Sequence, residues 1–257
     1  MSKYILELKS VQSGNIKTLF EVIKEVLYSD INIIFTKDYI KIVEMDSNDS
    51  CMIHLELKTS AFEYYKCDEK IVVGINANNF FKIIKISKKD DTISFYIEKE
   101  NQSVFIIRLE NSSNSKIFES FINRMDITEK CLDIPPLEYT SPIVTPSVEF
   151  QKICKDMNSL GLSNSILITN VGQKIIFTYV GEFSTQKISI GNNSNNNIIN
   201  IAQGYFNLKF LLLFSKATSL STTVNIYIEN DSPLVLEYHV GNLGKLSFIL
   251  NEFDEGH

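Results

Sequence analysis

This chain of 257 residues repeats its own plan. Segments with helical periodicity begin at Ile16 and Ser147, 131 positions apart, and a second pair begins at Asn76 and Phe206, 130 positions apart. Short alternating segments fall in the same order between them. A repeat of this length means that one structural unit is used twice, so the chain has to build two similar cores. Each half offers a short helix, three or four strands, a second helix and further hairpin strands. Strands joined by short polar turns pair antiparallel, and helices then cover one face of the sheet, so the expected class is α+β. The join falls in the aperiodic stretch from Met125 to Leu137, whose Pro135 and Pro136 cannot continue a central strand. The expected organisation is a first domain over residues 1–122, a connector over 123–138 and a second domain over 139–257.

The four helices share a second property. In the first, expected from Ile16 to about Tyr28 behind a Ser13-Gly-Asn15 cap, Leu19, Phe20, Val22, Ile23, Val26 and Leu27 occupy one arc, with Lys17 and Lys24 opposite. In the second, Asn76 to about Ile86, Phe80, Phe81, Ile83 and Ile84 turn inward while Lys82 and Lys85 take the other flank. The third, Ser147–Leu160, buries Phe150, Ile153, Cys154 and Met157 and shows Lys152 and Lys155. The fourth, expected over Phe206–Leu220, is the most apolar run in the chain, yet it carries Lys209 and Lys216. These two are seven positions apart, which on an ideal helix places them within about 20° of each other. Any one surface helix carries lysine for solubility. Four repeat-related helices doing so in a chain of net charge −6 point to a local basic surface on an acidic body. Such a surface attracts phosphate without reading bases, and Glu21, Glu25, Glu149 and Asp156 beside the lysines keep the contact weak enough to slide.

Other chemistries are poorly supported. The four cysteines show no paired CxxC spacing, so neither zinc nor disulfides are expected. Neither GxxxxGK[ST] nor GxGxxG occurs, the three histidines lie on expected strands or at the terminus, and no enzymatic activity, cofactor or metal is expected. No signal peptide opens the chain and no apolar run reaches about 18 residues. A soluble intracellular protein without a membrane partner is expected.

At this point the residues resemble a known family, the eukaryotic-type sliding clamps called proliferating cell nuclear antigen. The resemblance covers essentially the whole chain. It is carried by Ile42-Val-Glu-Met-Asp-Ser47 leading into Ile53-His-Leu-Glu-Leu57, by Phe62-Glu-Tyr-Tyr-Lys-Cys-Asp68 and by Val73-Gly-Ile-Asn76. In the second half it rests on Glu149-Phe-Gln-Lys-Ile-Cys-Lys-Asp-Met157, on Phe214 to Val224 and on Pro233-Leu-Val-Leu-Glu-Tyr238. The resemblance implies a ring of three identical subunits with sheets outside and helices facing duplex DNA, a processivity factor for DNA polymerase. The eight lysines Lys17, Lys24, Lys82, Lys85, Lys152, Lys155, Lys209 and Lys216 would then face the DNA.

It further implies trimer closure by pairing of edge strands, here Ile117–Arg124 with Glu182–Ile190, bringing in Ile117, Phe118, Phe121, Ile122, Thr185, Lys187 and Ile188. A groove of Met45, Ile127, Leu132, Pro233, Ile249 and Leu250 would take a short helical peptide of the PIP type, from partners such as polymerase, flap endonuclease, DNA ligase and clamp loader. The implied location is the nucleus, or the site of viral DNA replication if the source is viral. The sequence departs from the family pattern at Asp49-Ser50, Glu129 and Asn251-Glu252 near the groove, at Ser159, and at Gly172, where many members have a modifiable lysine. A subunit of the related checkpoint clamp, a hetero-trimer, is the alternative.

Overall fold

In the computed structural model, which describes residues 3–111, 115–128, 141–161, 163–172, 174–191 and 201–253, the chain divides into two compact units. The first comprises Met1–Ser47, Ile53–Leu132 and His239–Leu246; the second comprises Asn48–Met52, Asp133–Tyr238 and Ser247–His257.

The first unit is built on β1 (Tyr4–Ser10), α1 (Ser13–Leu27), β2 (Asp30–Phe35), β3 (Tyr39–Met45), β4 (Cys51–Lys58), β5 (Tyr64–Cys67), β6 (Ile71–Asn76), α2 (Ala77–Ile84), β7 (Thr92–Glu98), β8 (Val104–Asn111) and β9 (Lys116–Asn123). Five strands form an antiparallel sheet in the order β5-β1-β7-β8-β9, and a second run follows the order β4-β3-β2-β6. The period-two alternation sends Leu6, Leu8, Ile93, Phe95, Ile97, Phe105, Ile107 and Leu109 into the core. α1 and α2 lie against each other over that core. The Phe20 and Phe80 rings meet edge-on at 4.6 Å, and Phe80 continues to Phe95 and Phe105 at 5.8 and 6.2 Å. This aromatic cluster is the keel that holds both helices.

The second unit follows the same plan with β10 (Ile143–Pro146), α3 (Ser147–Leu160), β11 (Ser165–Val171), β12 (Lys174–Val180), β13 (Thr185–Gly191), β14 (Ile201–Asn207), α4 (Leu208–Phe214), a 3₁₀ turn over Ser215–Ser219, β15 (Thr223–Tyr227), β16 (Leu234–Val240) and β17 (Gly244–Leu250). Four strands pair antiparallel in the order β13-β12-β11-β14, and a second run has the order β10-β15-β16-β17. Phe214 stacks on Phe248 at 4.3 Å, with Tyr238 edge-on to Phe248 at 6.0 Å. The α+β class and the repeat are as the sequence led one to expect.

Several boundaries differ for physical reasons. Phe206 does not open the fourth helix. It is the last buried residue of β14, whose side chains alternate exposed and buried from Ile201, and the helix starts after Asn207, whose side chain accepts from the Lys209 amide at 3.0 Å. The helix is also shorter than expected: it passes into the 3₁₀ turn after Phe214, where the Ser215 hydroxyl back-bonds to the Leu212 carbonyl at 2.8 Å. α2 likewise starts one residue late, because Asn76 is its cap and accepts from Asn79 N at 3.0 Å. Ser13 is not a cap. It lies inside α1, and its hydroxyl crosses to the Lys88 and Lys89 carbonyls at 2.8 and 3.3 Å. The strand expected over Glu182–Ile190 starts at Thr185, and the edge strand β5 was not anticipated.

Candidate nucleic-acid interface

The lysines sort into two groups. Lys82, Lys85, Lys152, Lys155, Lys209 and Lys216 are exposed, while Lys17 and Lys24 are half-buried. The difference follows from what each ammonium touches. Lys17 Nζ donates to the Ser87 carbonyl at 3.2 Å, just past the end of α2. Lys24 lies 4.9 Å from the Phe81 ring centroid and 3.4 Å from Glu25 Oε1, so it bridges α1 to α2. These two tie the helices together before they meet any partner, a role that periodicity could not show. Lys82 and Lys155 donate instead to neutral amides, Asn79 Oδ1 at 3.2 Å and Gln151 Oε1 at 3.0 Å, which leaves their full charge in place. Lys85 is the C-cap of α2 and Lys209 follows the Asn207 cap of α4.

The sheets are electrostatically different. Lys3 meets Glu98 at 2.7 Å, Lys9 meets Glu110 at 3.7 Å, and Arg108 meets Glu110 and Glu119 at 2.6 and 3.7 Å. Basic residues there face carboxylates, and such exposed pairs contribute little to stability. Lys3, Lys9 and Arg108 thus lie beside carboxylates, while Lys82 and Lys155 lie beside neutral amides. No residue of this set has nucleophilic chemistry to offer. Burial pushes the Cys67 and Cys154 thiols up, which holds both as protonated, unreactive groups.

The residues expected to close the ring lie on two open sheet edges. β9 is the last strand of its sheet, with Ile117 and Phe121 55% and 65% exposed and Phe118 and Ile122 half-buried. β13 is the end strand of its own sheet, with Thr185 and Lys187 exposed and Ile188 half-buried. A flat edge carrying this much apolar side chain invites a strand from another molecule. Phe183, inside the strand expected over Glu182–Ile190 but not named among the closing residues, is 80% exposed in the turn before β13.

The groove residues are distributed over both units. In the first, Met45 ends β3 half-buried, and Ile127 lines a cleft of about 790 Å³ together with Ile5, Asn32, Lys70, Lys99 and Arg124. The connector is strapped down where it begins: Met125 N donates to the Gly74 carbonyl at 2.8 Å, and Arg124 donates to the Val72 and Gln102 carbonyls at 2.5 and 2.6 Å. Glycine is required at 74, since any side chain would collide with the Met125 carbonyl. In the second unit Pro233 is half-buried, while Ile249 and Leu250 are buried in β17 and are walls more than open surface. Leu132 lies outside the described residues.

Two repeated α+β units, each carrying a pair of lysine-bearing helices and each ending a sheet in an open edge, define the two-domain clamp fold. The N-terminal domain of proliferating cell nuclear antigen matches residues 5–131 and the C-terminal domain matches residues 133–253. The chain belongs to the proliferating cell nuclear antigen family. It is also similar to a protein of Paramecium bursaria Chlorella virus 1 described as probable DNA polymerase sliding clamp 1, with 30% identity over 254 residues, 96% of each chain.

Proposed function

We propose that this chain is a DNA sliding clamp: three copies join head to tail through β9 and β13, encircle duplex DNA without reading its sequence, and hold a DNA polymerase on its template. The observation that carries this reading is the placement of exposed lysines on the helices of both halves, where a net-acidic chain would otherwise gain nothing by concentrating positive charge. A second copy of the chain satisfies the two open edges, and a repeating heterologous contact of this kind closes into a ring. The virus relative, by its description, supports the polymerase assignment. Met45, Ile127, Pro233 and Ile249, backed by Leu250 and with Leu132 of the connector, are assigned to the peptide groove that recruits polymerase, flap endonuclease, ligase and clamp loader. The place of action is where DNA is replicated, in a nucleus or at a viral replication site.

The test is charge reversal on three of the exposed lysines. Lys82→Glu, Lys155→Glu and Lys216→Glu together should depress polymerase processivity and clamp retention on DNA at least tenfold while leaving the native mass at about three chains, since each reversed charge repels the phosphate that the lysine attracted. Sedimentation and primer-extension length read the two quantities. A variant that falls to one chain, or that supports wild-type extension, contradicts the assignment.

A further inference from the structure

The turn that follows α2 carries a lysine pair that the helical pattern does not include. α2 ends at Ile84, yet Ile86 N donates to the Ile83 carbonyl at 3.3 Å and Ser87 N to the Ile84 carbonyl at 3.0 Å. These are i to i+3 bonds, so the chain continues in 3₁₀ geometry, in which residues three apart eclipse each other. Lys88 and Lys89 follow directly on Ser87, the last residue these bonds reach, three and four positions after Lys85. Both Lys88 and Lys89 are exposed.

The turn is held rigidly. The buried Ser13 hydroxyl donates to both the Lys88 and Lys89 carbonyls, Lys17 Nζ donates to the Ser87 carbonyl, Lys88 N donates to Asp91 Oδ2 at 2.8 Å, and Asp91 N donates back to the Lys88 carbonyl at 3.1 Å. Asp91 is buried and its other oxygen accepts from Asn111 Nδ2 at 2.6 Å, so it acts as a strut. Asp90 is the exposed carboxylate of the turn, and Glu21 the exposed one on α1.

The second unit contains part of this device. Ser147, the first residue of α3, donates to the Ser221 carbonyl at 2.5 Å, and Gln151, four residues on as Lys17 is from Ser13, donates to the Ser215 carbonyl at 2.9 Å. Around Ser221 the turn reads Ser219-Leu-Ser-Thr222, while Lys216 follows the Gln151 acceptor Ser215. A serine at a helix start holding a distant turn is common to both units, and two adjacent lysines stand at that turn only in the first.

We propose that Lys88 and Lys89 form an additional phosphate-binding site, following the α2 lysines in the chain, that engages the DNA backbone from the first domain of each subunit. This rests on the sliding-clamp reading. Holding the backbone of the turn fixed lowers the ordering cost of the contact, because only the two side chains remain to be immobilised.

The test uses the full-length protein and a short linear duplex, with affinity followed over a series of salt concentrations. The K88Q/K89Q variant should bind more weakly at low salt, and the slope of log affinity against log salt should fall in magnitude by about 0.9 for each lysine engaged. A control variant, K37Q/K58Q, removes the same charge from exposed positions on the β2–β3 turn and the end of β4 and should keep the wild-type slope. An unchanged slope in K88Q/K89Q, or an equal fall in the control, overturns the site while leaving the clamp reading intact. Absence of salt-dependent duplex binding in the unaltered protein overturns both.

Discussion

Phe80→Ala is expected to cost about 3–5 kcal/mol of stability, the largest effect of any single change considered for this chain. Phe80 is 1% exposed and its ring touches Phe20 of α1, Phe95 of β7 and Phe105 of β8, so it is where both helices and the sheet meet. Truncation removes the transfer free energy of an aromatic side chain and leaves a void that rigid neighbours cannot close. The consequence reaches function. Lys24 is placed by its approach to the Phe81 ring and Lys17 by the Ser87 carbonyl, and both positions depend on α1 staying seated against α2. Denaturant unfolding monitored by circular dichroism reads the loss. A conservative Phe80→Leu change should recover a large part of it, because it restores most of the volume, and a cost below about 1 kcal/mol for Phe80→Ala would show that the cluster is not the keel described.

Ile117→Asp combined with Phe121→Asp should have the opposite character, leaving the subunit folded and dissolving the assembly. Both side chains are more than half exposed in the isolated chain, so aspartate there is hydrated and the fold loses little. In a closed ring the same positions are covered by a neighbouring strand, and two carboxylates would then be buried without partners. The cost of desolvating an unpaired carboxylate is several kcal/mol, enough to shift the assembly constant by more than a thousandfold at each contact. Sedimentation should show the mass falling from about three chains to one with an unchanged far-ultraviolet spectrum. A variant that keeps the mass of three chains would move the interface away from β9.

Much of this arrangement was legible in the residues, and the parts that were not have a common cause. α3 has the extent that periodicity assigned, because it is a strongly patterned segment that Gly161 ends in a left-handed cap. The start of the fourth helix was misplaced at Phe206 because an alternating strand runs directly into an apolar helix, and both periods put Phe206 and Leu208 inside. The visible marker was Asn207, a capping residue in the middle of the apolar run. β5 escaped notice because Tyr64-Tyr-Lys-Cys67 is an edge strand with little alternation. Ser13 sits at a helix start and carries a capping side chain, and only the fold reveals that its hydroxyl serves a turn 75 residues away. Lys17 and Lys24 show the same limit. A helical wheel gives their azimuth and says nothing of the carbonyl and the ring that hold them. Local rules located the helices; long-range contacts decided that Lys17 and Lys24 tie α1 to α2.

Encirclement of DNA is tested more directly by topology than by affinity. The clamp, loaded onto a nicked circular duplex by a clamp loader, should remain with that DNA through gel filtration at a salt concentration that abolishes simple phosphate binding. Cutting the circle once should then release it, because a sliding ring leaves by the ends. Release on linearisation is the result predicted here. Retention on linear DNA equal to that on the circle would contradict encirclement, and dissociation from the circle at high salt before any cut would reduce the lysines to an ordinary electrostatic patch.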